Sequence, residues 1–361
     1  MIKKTIVTHL LAIGATCLAL HSCIAQAPLR IACNNKQLEY MGRIARNDST
    51  AALSWPGSSV AINFEGTDAT VKLKDETGNN YYYAIVDDRE PTLIKPDTLL
   101  KTYTIAAHLR NGYHNALLYK LTESRAGKTW FYGFELNNRA IVLPTQKRTK
   151  SIEFYGNSIT VGYSVDDTMG DSGEPRFCNN YFSYAGITAR HFKANYTCIA
   201  KSGIGLMLSW FKIIMPEMYD RPEESDSINK WDFKKSTPDI VVIDLGQNDS
   251  WLVTKKDHPQ FKNRFGVYPP DEAYIVKCYT EFIQTIRGKY PNASIIVTLG
   301  SMDATKEGSP WPGYIAKAGT WLYDKKVYTH FFPYINTNKH PKRKEQIAMA
   351  NDLIRFIESL P

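Results

Sequence analysis

The 361-residue sequence has no Cys-x-x-Cys pair and no cluster of cysteine with histidine, the spacings that hold a structural zinc. It has no internal repeat and no low-complexity tract. With 43% hydrophobic and 22% charged residues, this excludes disorder, collagen and a pure coiled coil. No stripe of one charge is present: 44 basic and 36 acidic side chains leave +8, but the lysines and arginines are scattered. The longest basic cluster is Lys342-Arg343-Lys344. Nucleic acids need a continuous basic face, so no nucleic-acid partner is expected. The one long apolar run, Ile6 to Leu20, falls short of the roughly 20 residues a membrane span requires, so no transmembrane segment is expected.

That run follows Lys3 and Lys4 and has the length and flanks of a secretory signal peptide over residues 1–25. Cutting after Ala25 would leave Gln26 first, as in a periplasmic or secreted protein. The segment Leu20-His21-Ser22-Cys23 instead resembles a lipobox, which would make a membrane-anchored lipoprotein with a lipid on Cys23. Histidine inside a lipobox is unusual, which favours soluble export; a monomer is expected. Cys33, Cys178, Cys198 and Cys278 remain for the mature chain. Export permits disulfides, with Cys178 and Cys198 the first candidates, and four free thiols are the open alternative.

Residues 26–147 read as an antiparallel β-sandwich, jelly-roll-like. The period of two is visible at Val60, Ile62, Phe64 and at Ala69, Val71, Leu73, and turn clusters such as Trp55-Pro56-Gly57-Ser58 and Arg110-Asn111-Gly112 separate the runs. A basic connector, Gln146 to Lys150, leads into residues 148–361, where strands alternate with helices. Ser151 to Tyr155, Ile240 to Leu245 and Ser294 to Leu299 read as strands and Tyr181 to Phe192 as a helix. Ala273, Val276, Ile283 and Ile286 should line one helix face, and Ile347, Ala350, Ile354 and Ile357 another. This pattern predicts a three-layer α/β/α domain on a parallel sheet.

In such sheets ligands bind beyond the carboxyl ends of the strands. Those ends carry Gly156-Asn157-Ser158-Ile159-Thr160, Ser202-Gly203-Ile204-Gly205, Gly246-Gln247-Asn248-Asp249 and, before the last helix, Asn336-Thr337-Asn338-Lys339-His340-Pro341. Together they can build an acyl-transfer site. Ser158 at a strand-to-helix turn would be the nucleophile and His340 its base, with His330 the fallback. The N–H groups of Ser158 and Gly203 and the side-chain amide of Asn248 would form the oxyanion hole, with Gly205 an alternative to Gly203. Asp249 reads as structural. Tyr163, Trp210, Trp251 and Trp311 lie near these loops and offer flat faces for sugar rings. No metal or cofactor is called for.

These four segments resemble the blocks of the SGNH (GDSL-like) hydrolases. The stretch Tyr155-Gly156-Asn157-Ser158-Ile159-Thr160-Val161-Gly162-Tyr163 is similar to the nucleophile segment of the carbohydrate esterase family 2 acetyl esterases. Gly42-Arg43, Trp55-Pro56-Gly57-Ser58, Gly112-Tyr113-His114 and Phe131-Tyr132-Gly133-Phe134 resemble landmarks of that family's sandwich. The resemblance implies a serine esterase that removes O-acetyl groups from polysaccharides such as xylan or glucomannan. The alternatives are an esterase or thioesterase of other acyl specificity, a peptidoglycan O-acetylesterase, or an inactive carbohydrate-binding protein.

Two positions depart from the pattern. Asn157 replaces the usual aspartate before the serine, and Thr337 stands where the superfamily carries its acid, three residues before the histidine. A Ser158–His340 dyad is therefore expected, with a main-chain carbonyl or Asn338 holding the imidazole. Asp244 and Asp249 are the nearby acids to check first.

Overall fold

The computed structural model describes residues 27–361; the signal-peptide and lipobox readings lie outside them. Two six-stranded antiparallel sheets come first. One contains Ala45–Arg46, Ala51–Leu53, Thr129–Leu136, Ala69–Asp75 and Lys101–Ala106 in that order, with Leu29–Ala32 also pairing to Thr129–Leu136. The other runs Ile141–Leu143, Ser59–Gly66, Gly112–Lys120, Tyr82–Val86 and Thr92–Ile94, with Glu39–Met41 beside Ser59–Gly66. The alternation at Val60, Ile62, Phe64 and at Val71, Leu73 faces those side chains into one shared core, where all are fully buried.

The α/β domain is built on five parallel strands in the order Asn195–Ala200, Ser151–Gly156, Ile240–Asp244, Ser294–Leu299, Val327–Phe331. The chain starts inside the sheet and then moves outward in both directions, so the end of Ser151–Gly156 is the topological switch point where a cleft opens. Tyr155, Val241, Ile243, Ile295 and Val297 pack to one side of the sheet, and Phe154, Cys198, Val242 and Ile296 to the other. Among the described residues no helix is long and apolar enough to cross a membrane.

Two helix faces are rotated from the sequence reading. In Glu272–Lys289 the buried stripe is Ile275, Val276, Tyr279, Phe282, Ile283 and Ile286, while Ala273 is exposed. It sits in the first turn of the helix. In Arg343–Glu358, Met349, Ala350, Leu353, Ile354 and Ile357 are buried and Ile347 is 43% exposed. Cys178 and Cys198 are both buried free thiols, so the candidate disulfide is absent. Cys198 packs in the apolar cluster on one side of the sheet while Cys178 lies near Glu123, Arg125 and Lys120, and burial pushes both thiols up to about 12.

Sandwich and α/β domain share a core. Trp55 is fully buried among α/β residues and its indole Nε1–H donates to the carbonyl of Pro222 at 2.9 Å. Burying an indole removes roughly 150–250 Å² from water, about 4–6 kcal/mol at about 25 cal/mol per Å² before ordering costs. Arg43, also fully buried, pairs with Glu153 Oε1 at 2.9 Å and donates to Tyr155 Oη at 2.9 Å and to the carbonyl of Tyr219 at 2.5 Å. Charges so far from water survive only when paired, so this contact fixes how the two halves meet.

Candidate active site

The first parallel strand ends at Gly156, and a sharp turn starts the short helix Ser158–Val161. A Cβ at Gly156 would fall 2.0 Å from Thr160 Oγ1, so only glycine lets the helix start this close to the strand. Asn157 caps the helix: its Oδ1 accepts from the N–H of Ile159 at 2.9 Å, and its Nδ2 donates to the carbonyl of Asp244 on the neighbouring strand at 3.2 Å. A carboxylate could do only the first of these, so here the amide ties the turn at Ser158 to the next strand. Ser158 thus occupies the first helical position, where no intrahelical acceptor uses its N–H.

His340 reaches this serine from the far end of the chain. Its Nε2 lies 2.8 Å from Ser158 Oγ. Its Nδ1 lies 2.8 Å from Asp171 Oδ2, and its backbone N–H donates to the same oxygen at 3.2 Å. Lys342 Nζ donates to the other Asp171 oxygen at 3.1 Å. Partial burial acts to raise the Asp171 carboxyl, but the bonds from His340 and Lys342 outweigh it and hold it well below the ordinary carboxylate range. The ring of Tyr163 packs against the imidazole with ring centres 4.5 Å apart.

The dyad expectation is therefore corrected: a carboxylate, not a main-chain carbonyl or Asn338, supports the imidazole. It comes from the loop after the helix Ser158–Val161. Asp167 shapes that loop by accepting from Gly170 N–H at 2.7 Å and Ser172 N–H at 2.8 Å. Lys339 Nζ, on the carbonyl of Met169 at 3.1 Å, and Lys342 dock it on the histidine segment. Thr337 is exposed, and its hydroxyl donates to the carbonyl of Lys339 at 2.8 Å. A readable signal did exist: an acid between glycines, Gly170-Asp171-Ser172-Gly173, with Lys339, Lys342 and Arg343 clustered about the histidine.

The other acids serve the frame. Asp249 is buried, and its carboxylate accepts from the N–H groups of Leu206, Met207 and Leu208 at 2.8–2.9 Å, shaping the loop after Gly203. Asp244 is buried against Tyr184 Oη at 3.1 Å, and burial raises its carboxyl to about 6. His330 is engaged elsewhere, 2.8 Å from Asp352 Oδ2 and stacked on Phe356.

Strand register brings the remaining segments to the same rim. Gly156 is paired with Ala200 on one side and Asp244 on the other, so Ser202-Gly203 and Gly246-Gln247-Asn248 leave the sheet on either side of Ser158. Gly205 N–H is taken by Ser209 Oγ at 2.9 Å, whereas Gly203 N–H, at a left-handed φ of +85°, has no acceptor among the described residues. Asn248 is 3% exposed; one Nδ2 hydrogen goes to the carbonyl of Ile204 at 2.8 Å, and its Oδ1 accepts from the indole N–H of Trp210 at 3.0 Å. Both bonds fix the amide, and the second Nδ2 hydrogen has no acceptor among the described residues. Trp210, read in the sequence only as a surface for sugars, thus also orients Asn248.

The tryptophans divide. Trp311 is 6% exposed and packs in the core at the start of a helix, so it offers no face to a ligand, which corrects the sequence reading. Trp251 is partly buried, with Nε1 on the Asp303 carboxylate at 2.7 and 2.8 Å. A cavity of about 700 Å³ lies at the amino ends of the strands, among Tyr113, Lys147, Arg190 and Lys193, away from the serine. Its deeper cations are already engaged, Arg148 by Glu39 and Arg190 by the ring of Tyr181.

A hydroxyl, an imidazole and a carboxylate in hydrogen-bonded series, beside amide donors at a helix start, are the layout of a serine hydrolase. Comparison with known proteins narrows this class. Residues 40–145 match the family model Carbohydrate esterase 2 N-terminal. A solved family two carbohydrate esterase from Clostridium thermocellum, in complex with cellohexaose, is 30% identical with a TM-score of 0.77, covering 89% of this chain and 98% of that one. The acetylxylan esterase / glucomannan deacetylase of Cellvibrio japonicus is 25% identical, over 90% of this chain and 88% of its own. The cellulase/esterase CelE of Acetivibrio thermocellus is 33% identical over 273 residues, 74% of this chain; the match spans about a third, 32%, of that longer protein. The chain belongs to the family 2 carbohydrate esterases, which are carboxylic ester hydrolases.

Proposed function

We propose that this protein removes O-acetyl groups from plant-type polysaccharides, with xylan and glucomannan the first candidates. The observation that carries the reading is the series Ser158 Oγ, His340 Nε2, His340 Nδ1, Asp171 Oδ2, both links at 2.8 Å. The substrate class is supported by the printed activities of the relatives above.

Ser158 Oγ attacks the acetyl carbonyl carbon while His340 Nε2 takes the hydroxyl proton. The charge that develops on the carbonyl oxygen is met by the N–H groups of Ser158 and Gly203 and by the Asn248 amide, each typically worth about 10²–10³ in rate. The tetrahedral intermediate collapses, the C–O bond to the sugar breaks, and the imidazolium returns its proton to the departing alkoxide. Water then adds to the acetyl-enzyme, giving its proton to His340; acetate leaves and Ser158 regains its hydrogen. Asp171 holds the reactive tautomer and stabilises the imidazolium. Tyr163 and Trp251 are proposed to border the sugar. The sequence pattern of residues 1–25 supports export, and the protein is proposed to act there as a monomer.

The test is acetate release from acetylated xylan, acetylated glucomannan and O-acetylated peptidoglycan side by side, with Ser158→Ala as control. Release from the plant polysaccharides by the parent protein alone is the expected result. Preference for peptidoglycan, or for long-chain aryl esters, would overturn the substrate class. Sugar binding without turnover would point to the carbohydrate-binding alternative.

A further inference from the structure

The turn after the sandwich strand Gly112–Lys120 leaves the sandwich core and enters the α/β domain. Lys120 is fully buried, and its ammonium donates to the carbonyls of Thr122 and Glu123 at 3.0 and 3.3 Å, which fixes the turn. Glu123 is 2% exposed, and its Oε2 accepts from the backbone N–H of Ser202 at 2.9 Å. The hydroxyl of Ser124 bonds Glu224, whose other oxygen pairs with Lys201 Nζ at 2.5 Å. Arg125 pairs with the second Glu123 oxygen at 3.2 Å, lies over the ring of Tyr163 and donates to the carbonyl of Gly173 at 3.2 Å, in the loop that carries Asp171.

The loop Ser202–Ser209 is pinned at its far end by Asp249, from within the α/β domain. At its near end the N–H of Ser202 is held from the sandwich. The N–H of Gly203 lies in the peptide unit that begins at Ser202, so its direction depends on how Ser202 is held; Gly203 itself, at φ +85°, takes up the turn that follows. We infer that Glu123 is a positioning residue: by holding Ser202 it aims the Gly203 N–H at the oxyanion, so that the sandwich domain completes the catalytic site. This rests on the esterase reading above. A donor contributes only where it is preorganised, so release of Ser202 should cost part of one donor's share, about 10–100-fold in kcat.

The experiment compares Glu123→Ala, Glu123→Gln and Glu123→Asp with the parent on 4-nitrophenyl acetate, with active sites counted by organophosphate titration and folding checked by circular dichroism. Glu123→Ala should lower kcat about 10–100-fold with KM within about twofold, and weaken inhibition by a boronic acid that adds to the serine in the same proportion. Glu123→Gln, which keeps an acceptor oxygen, should recover most of the rate. Glu123→Asp, too short to reach Ser202, should behave like the alanine variant and decides the matter if that variant fails to fold. Unchanged kcat in folded Glu123→Asp, or an equal loss in Glu123→Gln, overturns the inference. Absence of turnover in the parent protein, with Ser158→Ala no different, would instead sink the esterase reading itself.

Discussion

Asp171 and His340 are joined twice, by the imidazole Nδ1 at 2.8 Å and by the backbone N–H at 3.2 Å, both on one carboxylate oxygen. The second bond orients the acid from the main chain of the residue it serves. Because Lys342 holds the remaining oxygen, the carboxylate is fixed at both atoms.

Replacement of Asp171 by Asn should therefore lower kcat by about 10²–10⁴, the upper figure being the cost of losing the aspartate from a serine-protease triad. KM should change little, and Thr337→Asp should not restore activity, since Thr337 is exposed and points to Lys339. Steady-state kinetics on an aryl acetate read this directly. A loss smaller than threefold would return the site to a serine–histidine pair.

Trp210 holds Asn248 through one hydrogen bond of 3.0 Å. Trp210→Phe keeps the ring and removes the donor, and a drop of about tenfold in kcat is expected, against about 10²–10³ for Asn248→Ala. In the double variant the two losses should not add, because both act on the same amide. Additive losses would assign Trp210 to sugar binding instead.

Arg43→Ala would strand Glu153, 2% exposed, at the interdomain contact. Breaking a buried pair from one side typically costs about 3–5 kcal/mol. Denaturant titration should show that loss in the unfolding of the α/β domain as well as of the sandwich, because Glu153 and Tyr155 belong to the parallel sheet. A stability change confined to the sandwich would contradict the shared core.

Burial raises the Asp244 carboxyl from 3.8 in the open chain to about 6. Below the lower value it is protonated in both states. As pH rises past it, the unfolded chain ionises while the folded protein resists, so the contribution of Asp244 to stability is lost up to about pH 6. Melting temperatures of the parent should thus fall relative to Asp244→Asn between about pH 4 and 7. A difference independent of pH would mean that Asp244 is already ionised in the fold.

Much of this was legible beforehand. A period of two placed Val60, Ile62 and Phe64 in the sandwich core, and unbroken apolar runs marked Ile240–Asp244 and Ser294–Leu299 as covered strands. Helix faces were read less well: Ala273 and Ile347 fit the helical repeat yet face solvent, because a repeat fixes the spacing of the buried stripe and not its width or exact direction. Trp311 looked like a rim residue and is core, since sequence distance from a loop does not say which way a helix start faces.

The sequence alone determined which segments end the parallel strands, and so put Ser158, Gly203 and Asn248 forward as candidates for one rim, because strand direction in such a sheet is a local rule; it left His340 and His330 both open as the base. Only the tertiary structure decided which acid serves the histidine and how the sandwich reaches the site. Asp171 and Glu123 sit on irregular loops without periodicity, and their partners, His340 and Ser202, lie far along the chain. Contacts of that kind exist only once two separate cores have packed and carried the loops together.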